Sequence, residues 1–561
     1  MNSIPKQLLC REAYSIPSGL LTMQSPPILA TDYYLTNFHK LTRHAILWYS
    51  DLLTENEKQR IEAIEQLPHA AQCLLVRLYS RKGKWFRSDK LNYEEIPDID
   101  SALEALVEAK FVAVNATISE QEISESLLTK NEVLSLYPKS DKKLRKVELV
   151  NQLSSSPFSR FNELSFECIH LLNNELCEVL LGLFFANTYQ DLSQFVLEDI
   201  GVHQFESYSL NKNTRYFKRR QDVDQLIQLG RLRNDYDSIS LKDIKQLTLL
   251  LESIGENSEH SSIAKKQQKF INVLARDLER FDCFSDALTW FKRSDLPPSR
   301  ERQARIYDKL NDVSNMEMVV ESMRSSPFDE SELEVATKLS TRLERMKGNK
   351  VPKTAKPTVP EQHLTLDLSS QRVELAVQRH LNQEWDSIYY LENQFLTGLF
   401  GLHFWDVIFA DIDGAFVNPY QHKPLDLYHH DFATKRQQLI DERFSHLESN
   451  GYATIIANFE SKLGLANPFV HWPSMSIELI ESAQNAISAS RLNSLFKVML
   501  SDLALYRNGM PDLIAFRGSQ FEWIEVKGPG DKLQDNQWRW IKRFQELAIP
   551  FSVCYVKDSN S

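Results

Sequence analysis

Two carboxylates and one lysine near the C-terminus have the spacing of a metal-dependent hydrolytic site. They lie in two short runs of β-strand character, Asp512–Phe516 and Phe521–Lys527, which a Gly-Ser turn would fold into an antiparallel pair. Side chains alternate across a strand, so Glu525 and Lys527 would share one face. The pairing would also bring Asp512, at the start of the first strand, close to Glu525.

This combination of residue types indicates phosphodiester hydrolysis. Carboxylate oxygens are hard ligands that suit Mg²⁺ or Mn²⁺, and the backbone carbonyl of Val526 could add another ligand. Such a metal acidifies a bound water and neutralises charge on phosphorus, while Lys527 could orient or deprotonate the attacking water. The alternative is a surface strand with an ordinary Glu–Lys pair, which an isolated E-x-K would favour. The coincidence of Pro-Asp, the strand pair and a following helix favours the catalytic interpretation.

A helix predicted over residues 533–548 strengthens that interpretation. It is amphipathic, with Trp540, Ile541 and Phe544 on its apolar stripe. Gln537 lies one turn earlier on the inward side, where a buried amide needs a partner. We expect the side chain of Gln537 to point toward Lys527 or a phosphate, although a helix-surface glutamine remains an alternative.

A third carboxylate lies upstream, in a long helix predicted around residues 371–404. Apolar residues at 388, 391, 395, 399 and 402 place Glu392 along a buried stripe. A carboxylate is costly there unless it is paired or binds a metal. The pattern alone leaves both an internal salt bridge and metal ligation open.

The elements that must hold these residues form a C-terminal domain of their own. The proline- and lysine-rich segment 347–362 cannot continue a helix and is typical of a linker. Beyond it, the β-type runs 521–527 and 551–556 flank the helix 533–548. Strand–helix–strand order predicts a parallel pair in an α/β sheet.

The part before the linker is predicted to be mainly helical. Residues 40–115 suggest short helices followed by a small hairpin, in a winged-helix-like unit. Residues 119–153 suggest two short helices around a lysine-rich turn. From 156 to 345 helix follows helix, as in degenerate helical repeats without a clean period.

Composition excludes several classes of protein. The chain has 561 residues, 42% of them apolar and 25% charged, which is globular rather than disordered. Its six cysteines form no C-x-x-C pair, so we expect neither zinc nor disulfides and infer an intracellular protein. The apolar segment 171–189 is interrupted by Asn and Glu and predicts a buried helix, not a membrane span. Taken as a sum, the formal charge of −11 argues against a nucleic-acid-binding protein, but the sum does not say where positive charge lies.

These motifs carry a resemblance to a known family. P-D-L, then E-V-K-G-P-x-D followed by Q-x-x-W, resembles the VRR-NUC branch of the PD-(D/E)xK nuclease superfamily. Other stretches resemble the Fanconi-associated nucleases across most of the chain. They are Tyr33–Leu35, RLYSRKGKW at 77–85, KLNYEEI at 90–96, LENQFLTGLFGLHFWDVIF at 391–409 and KPLDLY at 423–428.

The resemblance implies a multidomain fold, mainly α in its N-terminal part and ending in a restriction-endonuclease-like α/β nuclease domain. The expected boundaries are a winged-helix-like domain at 1–116, a SAP-like segment at 117–155, TPR-like repeats at 156–346, a linker at 347–362 and a VRR-NUC domain at 363–561. The resemblance also implies a Mg²⁺- or Mn²⁺-dependent, structure-selective DNA nuclease that cuts 5′ flaps and trims 5′→3′ in interstrand-crosslink repair.

The family motif carries over to particular residues. Glu392, Asp512 and Glu525 match its metal-binding carboxylates and Lys527 its catalytic lysine, which favours ligation by Glu392. The chain has no C-x-x-C upstream, so it differs from longer members with an N-terminal zinc finger, and recruitment by ubiquitinated partners is in doubt. A bacterial-type version, cytoplasmic or nucleoid-associated, is the favoured interpretation, and a eukaryotic version would be nuclear.

Basic clusters interleaved with aromatic residues predict where the DNA lies. Phosphate contacts from lysine and arginine give sequence-independent affinity, and aromatic rings stack on unpaired bases. Four basic clusters are visible, each of which could equally be a solvated helix face. The two favoured clusters and their aromatic neighbours comprise Tyr34, Arg77, Arg81, Lys82, Tyr93, Arg300, Arg302 and Arg305.

The expected partner is branched or flapped DNA with a 5′-phosphate end, bound by a monomer or homodimer. Two alternatives remain. One is a Holliday-junction-resolvase-like or restriction-like nuclease, although such enzymes do not need about 350 helical residues upstream. The other is a non-catalytic DNA-binding scaffold, against which the intact Asp512, Glu525 and Lys527 argue.

Overall fold

The computed structural model describes residues 30–172, 174–192, 204–239, 242–351 and 357–559. Residues 1–29 and 352–356, which belong to the predicted first domain and linker, lie outside the described residues. The strands are β1 Trp85–Arg87, β2 Val112–Val114, β3 Cys168–Leu171, β4 Glu361–Leu366, β5 Ser387–Tyr390, β6 Leu513–Arg517, β7 Gln520–Lys527 and β8 Phe551–Asp558.

Helices make up most of the remaining structure. Those before the linker are α1 Tyr33–Tyr49, α2 Glu55–Gln66, α3 His69–Tyr79, α4 Ile99–Glu108, α5 Glu120–Ser126, α6 Lys130–Leu136, α7 Lys146–Val150, α8 Glu175–Phe185, α9 Arg220–Ser238, α10 Ile244–Ser253, α11 Ser261–Arg280, α12 Phe284–Phe291, α13 Ser299–Lys309, α14 Val313–Ser325 and α15 Glu330–Met346. Those after it are α16 Val373–Leu381, α17 Gln394–His403, α18 Trp405–Ile408, α19 Phe432–Lys435, α20 Gln437–Asn450, α21 Ala453–Ser461, α22 Ile477–Ala486, α23 Ala489–Ser501, α24 Leu503–Tyr506 and α25 Asp535–Glu546.

The N-terminal region contains a small antiparallel sheet with the order β1-β3-β2. The short helices α1 to α4 agree with the sequence prediction for residues 40–115. The predicted hairpin within 40–115 is wrong, because β1 and β2 both pair with β3 and not with each other. Strand β3 also interrupts the stretch 156–345 that was predicted to be helix after helix. The short run Cys168–Leu171 is apolar and becomes the buried centre of the sheet, an outcome that depends on distant pairing.

Three short helices occupy the region where two were predicted. Helices α5 and α6 precede the lysine-rich turn, and α7 follows it. The first two begin where Ser119 and Thr129 accept hydrogen bonds from the backbone N–H three residues later. A side-chain oxygen at this position satisfies an otherwise unpaired N–H, which allows such short helices to start.

The long helical region runs from α8 to α15 and packs around several apolar cores. Helix α8 is almost entirely buried, as predicted for residues 171–189, although the segment starts as the end of β3. Helices α13, α14 and α15 form a stack whose core includes Ala304, Met316 and Leu339. Among the described residues, no helix is long and apolar enough to cross a membrane.

Every cysteine in the described part of the chain is a free thiol. They are Cys73, Cys168, Cys177, Cys283 and Cys554. Cys10 lies outside the described residues.

The C-terminal region is built on a mixed sheet with the order β4-β8-β7-β6-β5. Strands β6 and β7 are antiparallel and β7 and β8 are parallel, with α25 between the latter two in sequence. Both pairings confirm the sequence prediction. Strand β4 joins the other side of β8, so Glu361 and Gln362, assigned to the linker, are the first residues of the sheet.

The long helix predicted around 371–404 is wrong. The segment consists of α16, then β5, then α17, and β5 pairs antiparallel with β6. Its apolar spacing matched a helical period by coincidence. The run Ser387–Tyr390 is short and rich in residues that favour strands, and it is stabilised by covering the edge of β6.

Helix α25 is bound to the helical region as well as to the sheet. On its outer face, Arg539 and Arg543 form ion pairs with Glu334 and Glu330 of α15, at 2.9 and 3.1 Å. Its inner face buries Trp540 and the apolar residues that follow it against β7 and β8. The position of α25 is therefore fixed from two sides.

Candidate active site

The hairpin of β6 and β7 places two carboxylates side by side. Leu513 pairs with Ile524, so Asp512 lies opposite Glu525, as the sequence predicted. The Val526 N–H donates a hydrogen bond of 2.9 Å to Asp512 Oδ2. Gly518 closes the hairpin with a φ of 54°, a conformation that glycine adopts without strain.

Glu525 is the centre of a buried polar cluster. It is 2% exposed, and Lys527, on the same face of β7, is 7% exposed with its Nζ 2.7 Å from Glu525 Oε1. From α25, Gln537 Nε2 donates to the same oxygen at 2.5 Å. The structure thus brings Asp512, Glu525, Lys527 and Gln537 together. The partner of Gln537 is Glu525, whereas the sequence analysis expected Lys527 or a phosphate.

Burial makes both carboxyl groups weaker acids than usual. Loss of hydration raises the pKa of Glu525 to about 8; the charge of Asp512 raises this pKa further, and Lys527 lowers it. Burial also raises the pKa of Asp512 to about 6, against the lowering effect of the Val526 N–H. A divalent cation bound between these two carboxyl groups would stabilise their ionised forms and so offset the effect that raises their pKa values.

Glu392 lies next to this pair but not where the sequence placed it. The prediction of a buried helical stripe is wrong: Glu392 is exposed, in the turn between β5 and α17. Its φ of 44° is rare for a residue other than glycine. Its backbone N–H donates to the Asp512 carbonyl oxygen at 3.0 Å, and Tyr390 donates to its Oε1 at 2.7 Å. Its charge helps to raise the pKa of Asp512.

Sequence reasoning missed Glu374. This carboxylate lies in the first turn of α16, and its charge raises the pKa values of both Asp512 and Glu525. An acidic residue in a first helical turn is common because it complements the helix dipole, so the sequence carries no signal that separates Glu374 from others of its kind. What distinguishes Glu374 is its position in the folded protein, close to the hairpin of β6 and β7.

The donor chemistry fits a hard divalent cation. Asp512 and Glu525 offer carboxylate oxygens, and the carbonyl of Val526 lies between the two residues of the β7 face. Within the described ranges, no group of three His, Cys, Asp or Glu side chains is arranged to hold a metal ion. A metal bound here would therefore complete its shell with waters and substrate phosphate, as Mg²⁺ commonly does.

The residues predicted to bind DNA are largely occupied within the protein. Arg77 donates to Glu95 at 2.9 and 2.5 Å and stacks 3.9 Å above the ring of Tyr34, which is itself buried. Tyr93 is half-buried beside Arg77. Arg81 is exposed and contacts the Tyr93 ring at 5.6 Å.

The second predicted cluster is also neutralised. Arg300 pairs with Glu332, Arg302 with Glu279 and Arg305 with Glu301, each by charge-assisted hydrogen bonds. In the part of the chain that the structure describes, no carboxylate pairs with Arg81 or with exposed Lys82. The role of all eight residues in DNA binding stays a prediction, and the geometry favours the two unpaired cations.

Two family models match the chain. One described as "FAN1, HTH domain" matches residues 32–113, and one described as "VRR-NUC domain" matches residues 448–558. The second match includes Asp512, Glu525, Lys527 and Gln537.

Relatives extend the similarity to nearly the whole chain. A Fanconi-associated nuclease 1 homolog of Pseudomonas aeruginosa is 33% identical, over 97% of this chain and 99% of the relative. One from Arabidopsis thaliana is 25% identical over 96% of this chain and 68% of its own length. A crystal structure of paFAN1 bound to 2nt 5′-flap DNA with a gap has a TM-score of 0.83 at 31% identity, covering 95% of this chain and 99% of that one.

A second crystal structure, of paFAN1 bound to 1nt 5′-flap DNA with a gap, has a TM-score of 0.82 and covers 94% of this chain. The sequence match to the Pseudomonas relative and this structural match cover the helical part as well as the sheet. The chain therefore belongs to the Fanconi-associated nuclease family, and it is a structure-specific deoxyribonuclease in which a helical N-terminal part precedes a VRR-NUC nuclease domain built on a mixed sheet.

Proposed function

We propose that the protein is a Mg²⁺- or Mn²⁺-dependent nuclease that cuts 5′ flaps, trims DNA in the 5′→3′ direction and serves interstrand-crosslink repair. The observation that carries the proposal is the buried cluster of Asp512, Glu525 and Lys527 in a chain whose structural relatives hold 5′-flap DNA. The substrate would be flapped DNA inside the cell, bound by a monomer or homodimer.

Each residue of the cluster would have its own role in the reaction. Asp512, Glu525 and the Val526 carbonyl would hold the metal ion. Glu392, which accepts from Tyr390 and does not form a three-carboxylate group with them in the structure, would join as a further ligand by turning its side chain toward the ion. When bound, the ion would supply an acidified water and charge neutralisation at phosphorus. Lys527, fixed 2.7 Å from Glu525, would orient the attacking water as an ammonium donor, or would take a proton from that water after first losing its own. Gln537 would hold the Glu525 carboxylate in one orientation.

We further propose the finer domain labels. A winged-helix-like domain at 1–116 is supported by the helix-turn-helix family model over 32–113. A SAP-like segment at 117–155 is supported by three short helices around a lysine-rich turn, and TPR-like packing at 156–346 by the stacked helices α13 to α15. The predicted linker, shortened to 347–360 because β4 begins at Glu361, and a restriction-endonuclease-like nuclease domain from there to 561 complete the proposed division.

A cleavage assay tests the proposed function. Labelled 5′-flap, 3′-flap and four-way-junction DNA are compared side by side with Mg²⁺ or Mn²⁺. We expect preferential cleavage of the 5′ flap by the wild type and none by Glu525→Ala. Glu522→Gln is the matched control, because Glu522 is on β7 and three residues away, on the other face of the strand. Equal cleavage by wild type and Glu525→Ala, or preference for four-way junctions, would contradict the proposal.

A further inference from the structure

Two helices from different parts of the chain face each other through a series of ion pairs. On α15, three charged residues follow one another at intervals of four, which places them on one face of the helix. Three charged residues of α25 have the same spacing. The pairs that they form, in antiparallel order, are Lys338 with Asp535, Glu334 with Arg539, and Glu330 with Arg543. We call these three pairs the α15–α25 ladder.

Two of the three pairs have a well-defined geometry. Arg539 is 8% exposed, and its Nε and Nη2 donate to the two carboxylate oxygens of Glu334 at 3.1 and 2.9 Å. Such a two-point pair fixes the direction of the guanidinium as well as its distance. At the next pair, the Tyr506 hydroxyl donates to Glu330 at 2.6 Å and accepts from Arg543 Nε at 2.8 Å. The ladder is therefore ordered at its centre and at one end.

The order of charges along the ladder determines its register. Two pairs have the acidic residue on α15, and the third has it on α25. A shift of α25 by one helical turn in one direction would place Lys338 opposite Arg539, and a shift in the other direction would place Glu334 opposite Asp535. Each shifted arrangement brings like charges together, which disfavours it. The charges therefore hold α25 against α15 in a single register.

Apolar packing does not join these two helices. Ala336 and Leu339 of α15 belong to the core of the helical stack, whereas Trp540 and Phe544 of α25 belong to the core of the C-terminal domain. In the part of the chain that the structure describes, no apolar cluster contains residues of both helices. Charged and polar contacts therefore determine how α15 and α25 meet.

The opposite face of α25 contacts Glu525. Gln537 lies two residues from both Asp535 and Arg539, and two residues correspond to about 200° around a helix. The Gln537 Oε1 accepts from the Gln534 N–H at 2.9 Å, and its Nε2 donates to Glu525 Oε1 at 2.5 Å. The amide group is thus fixed at both ends, so its position follows that of α25.

We propose that the α15–α25 ladder positions Gln537, and through it the Glu525 carboxylate, for metal binding and cleavage. The inference rests on the proposed function, because it takes Glu525 as a metal ligand. Glu334 and Arg539 are then positioning residues of the nuclease site, and Glu334 belongs to the helical region. A movement of α15 relative to the C-terminal domain would reach Glu525 by this route.

Charge reversal tests whether the ladder acts on cleavage. Arg539→Glu, Glu334→Arg and the double reversal are compared with the wild type by single-turnover cleavage of a 5′ flap with Mn²⁺ at saturating enzyme. Their Mn²⁺ affinity is measured by isothermal titration calorimetry without DNA. Loss of a group that orients a metal ligand typically lowers activity or metal affinity about 10–100-fold. We expect losses of this size for each single reversal, and recovery in the double reversal, which restores opposite charges.

A second substitution tests whether the effect passes through Gln537. Gln537→Ala removes the hydrogen bond to Glu525 and leaves the ladder in place. Effects that share one route are not additive, so Arg539→Glu should lower the cleavage rate much less in the Gln537→Ala background than in the wild type. Equal fold losses in the two backgrounds would overturn the proposal.

Glu317→Arg is the matched control. Glu317 of α14 forms an ion pair with Lys347, which directly follows α15, so this variant reverses a charge at another contact between helices. It should cleave DNA and bind Mn²⁺ as the wild type does. Equal losses in Glu317→Arg and Arg539→Glu, or a double reversal no more active than the single variants, would also overturn the proposal.

Two further measurements separate the ladder from a folding defect and from the proposed function. Circular dichroism and flap affinity in EDTA should match the wild type in every variant. If Arg539→Glu does not fold, Glu334→Gln removes the same pair from its more exposed partner and takes its place in the assays. Absence of wild-type cleavage with Mn²⁺ would refute the proposed function. Normal wild-type cleavage without a loss in Arg539→Glu or Glu334→Gln would refute only the role of the ladder.

Discussion

Replacing Glu525 by glutamine should stabilise the metal-free protein while abolishing its activity. The folded-state pKa of Glu525 is raised from 4.5 to about 8, chiefly by burial. A raised pKa means that the stability contributed by the neutral carboxyl group is fully present below pH 4.5 and is lost as pH rises toward 8. The folded metal-free protein is therefore destabilised by this group at pH 8, and an uncharged side chain removes the effect.

The size of the effect follows from the shift and from the neighbours of Glu525. A difference of about 3.5 pH units, at about 1.4 kcal/mol each, gives an upper limit of about 5 kcal/mol. Glutamine can still accept from Lys527 and Gln537, but Lys527, 7% exposed, loses its counter-charge at a cost of about 1–3 kcal/mol. The free energy of unfolding should therefore rise by about 2 kcal/mol. For a domain of the size of the C-terminal nuclease domain, this corresponds to a Tm increase of about 4–8 °C.

Thermal unfolding in EDTA at pH 5, 6.5 and 8 measures this gain. We expect Glu525→Gln to exceed the wild type at pH 8 and to show no advantage at pH 5, where the wild-type carboxyl is already neutral. Added Mn²⁺ should raise the Tm of the wild type and leave that of Glu525→Gln unchanged, with Glu522→Gln behaving as wild type. A variant less stable than wild type at pH 8 in EDTA, or an equal response to Mn²⁺, would refute the reasoning.

Three further predictions concern catalysis and the scaffold. When metal is limiting, the single-turnover cleavage rate should rise between about pH 6 and 8, because Asp512 and Glu525 lose their protons in this range. A higher metal concentration should move this rise to lower pH. A pH profile that does not change with metal concentration would contradict the prediction. Lys527→Met should lower the single-turnover rate about 10²-fold with flap affinity in EDTA retained, and an unchanged rate would exclude the proton-transfer role. Asp426→Asn should cost about 3–5 kcal/mol in urea unfolding because its buried arginine partner is left unpaired, whereas Glu321→Gln at an exposed pair should change stability by less than about 1 kcal/mol.

The local part of the active site was predictable from the sequence because its geometry is local. Residues 512–527 form a hairpin whose register follows from one short turn, and alternation along β7 then places Glu525 and Lys527 together. The helix and parallel strand that follow were also predictable, since strand–helix–strand order has few solutions. The partner of Gln537 was not, because the angle at which α25 packs depends on its contacts with α15.

The errors arose where tertiary contacts override local pattern. The spacing around Glu392 fits a helix, yet β5 forms there because it can cover the edge of β6. Arg77 and Arg300 were predicted to bind DNA because they are positively charged, but in the structure Glu95 and Glu332 neutralise them. Which cations remain unpaired depends on residues distant in sequence, so charge runs alone cannot show it.

The placement of β3 at the centre of the N-terminal sheet has a consequence for biosynthesis. Strands β1 and β2 emerge from the ribosome well before β3, which is the one strand that each of them pairs with among the described residues. Until residue 171 has been made, both strands expose unsatisfied edges that could pair with other chains. The nascent chain must therefore extend through helices α5, α6 and α7 before its first sheet can close, and fragments that end before β3 should aggregate.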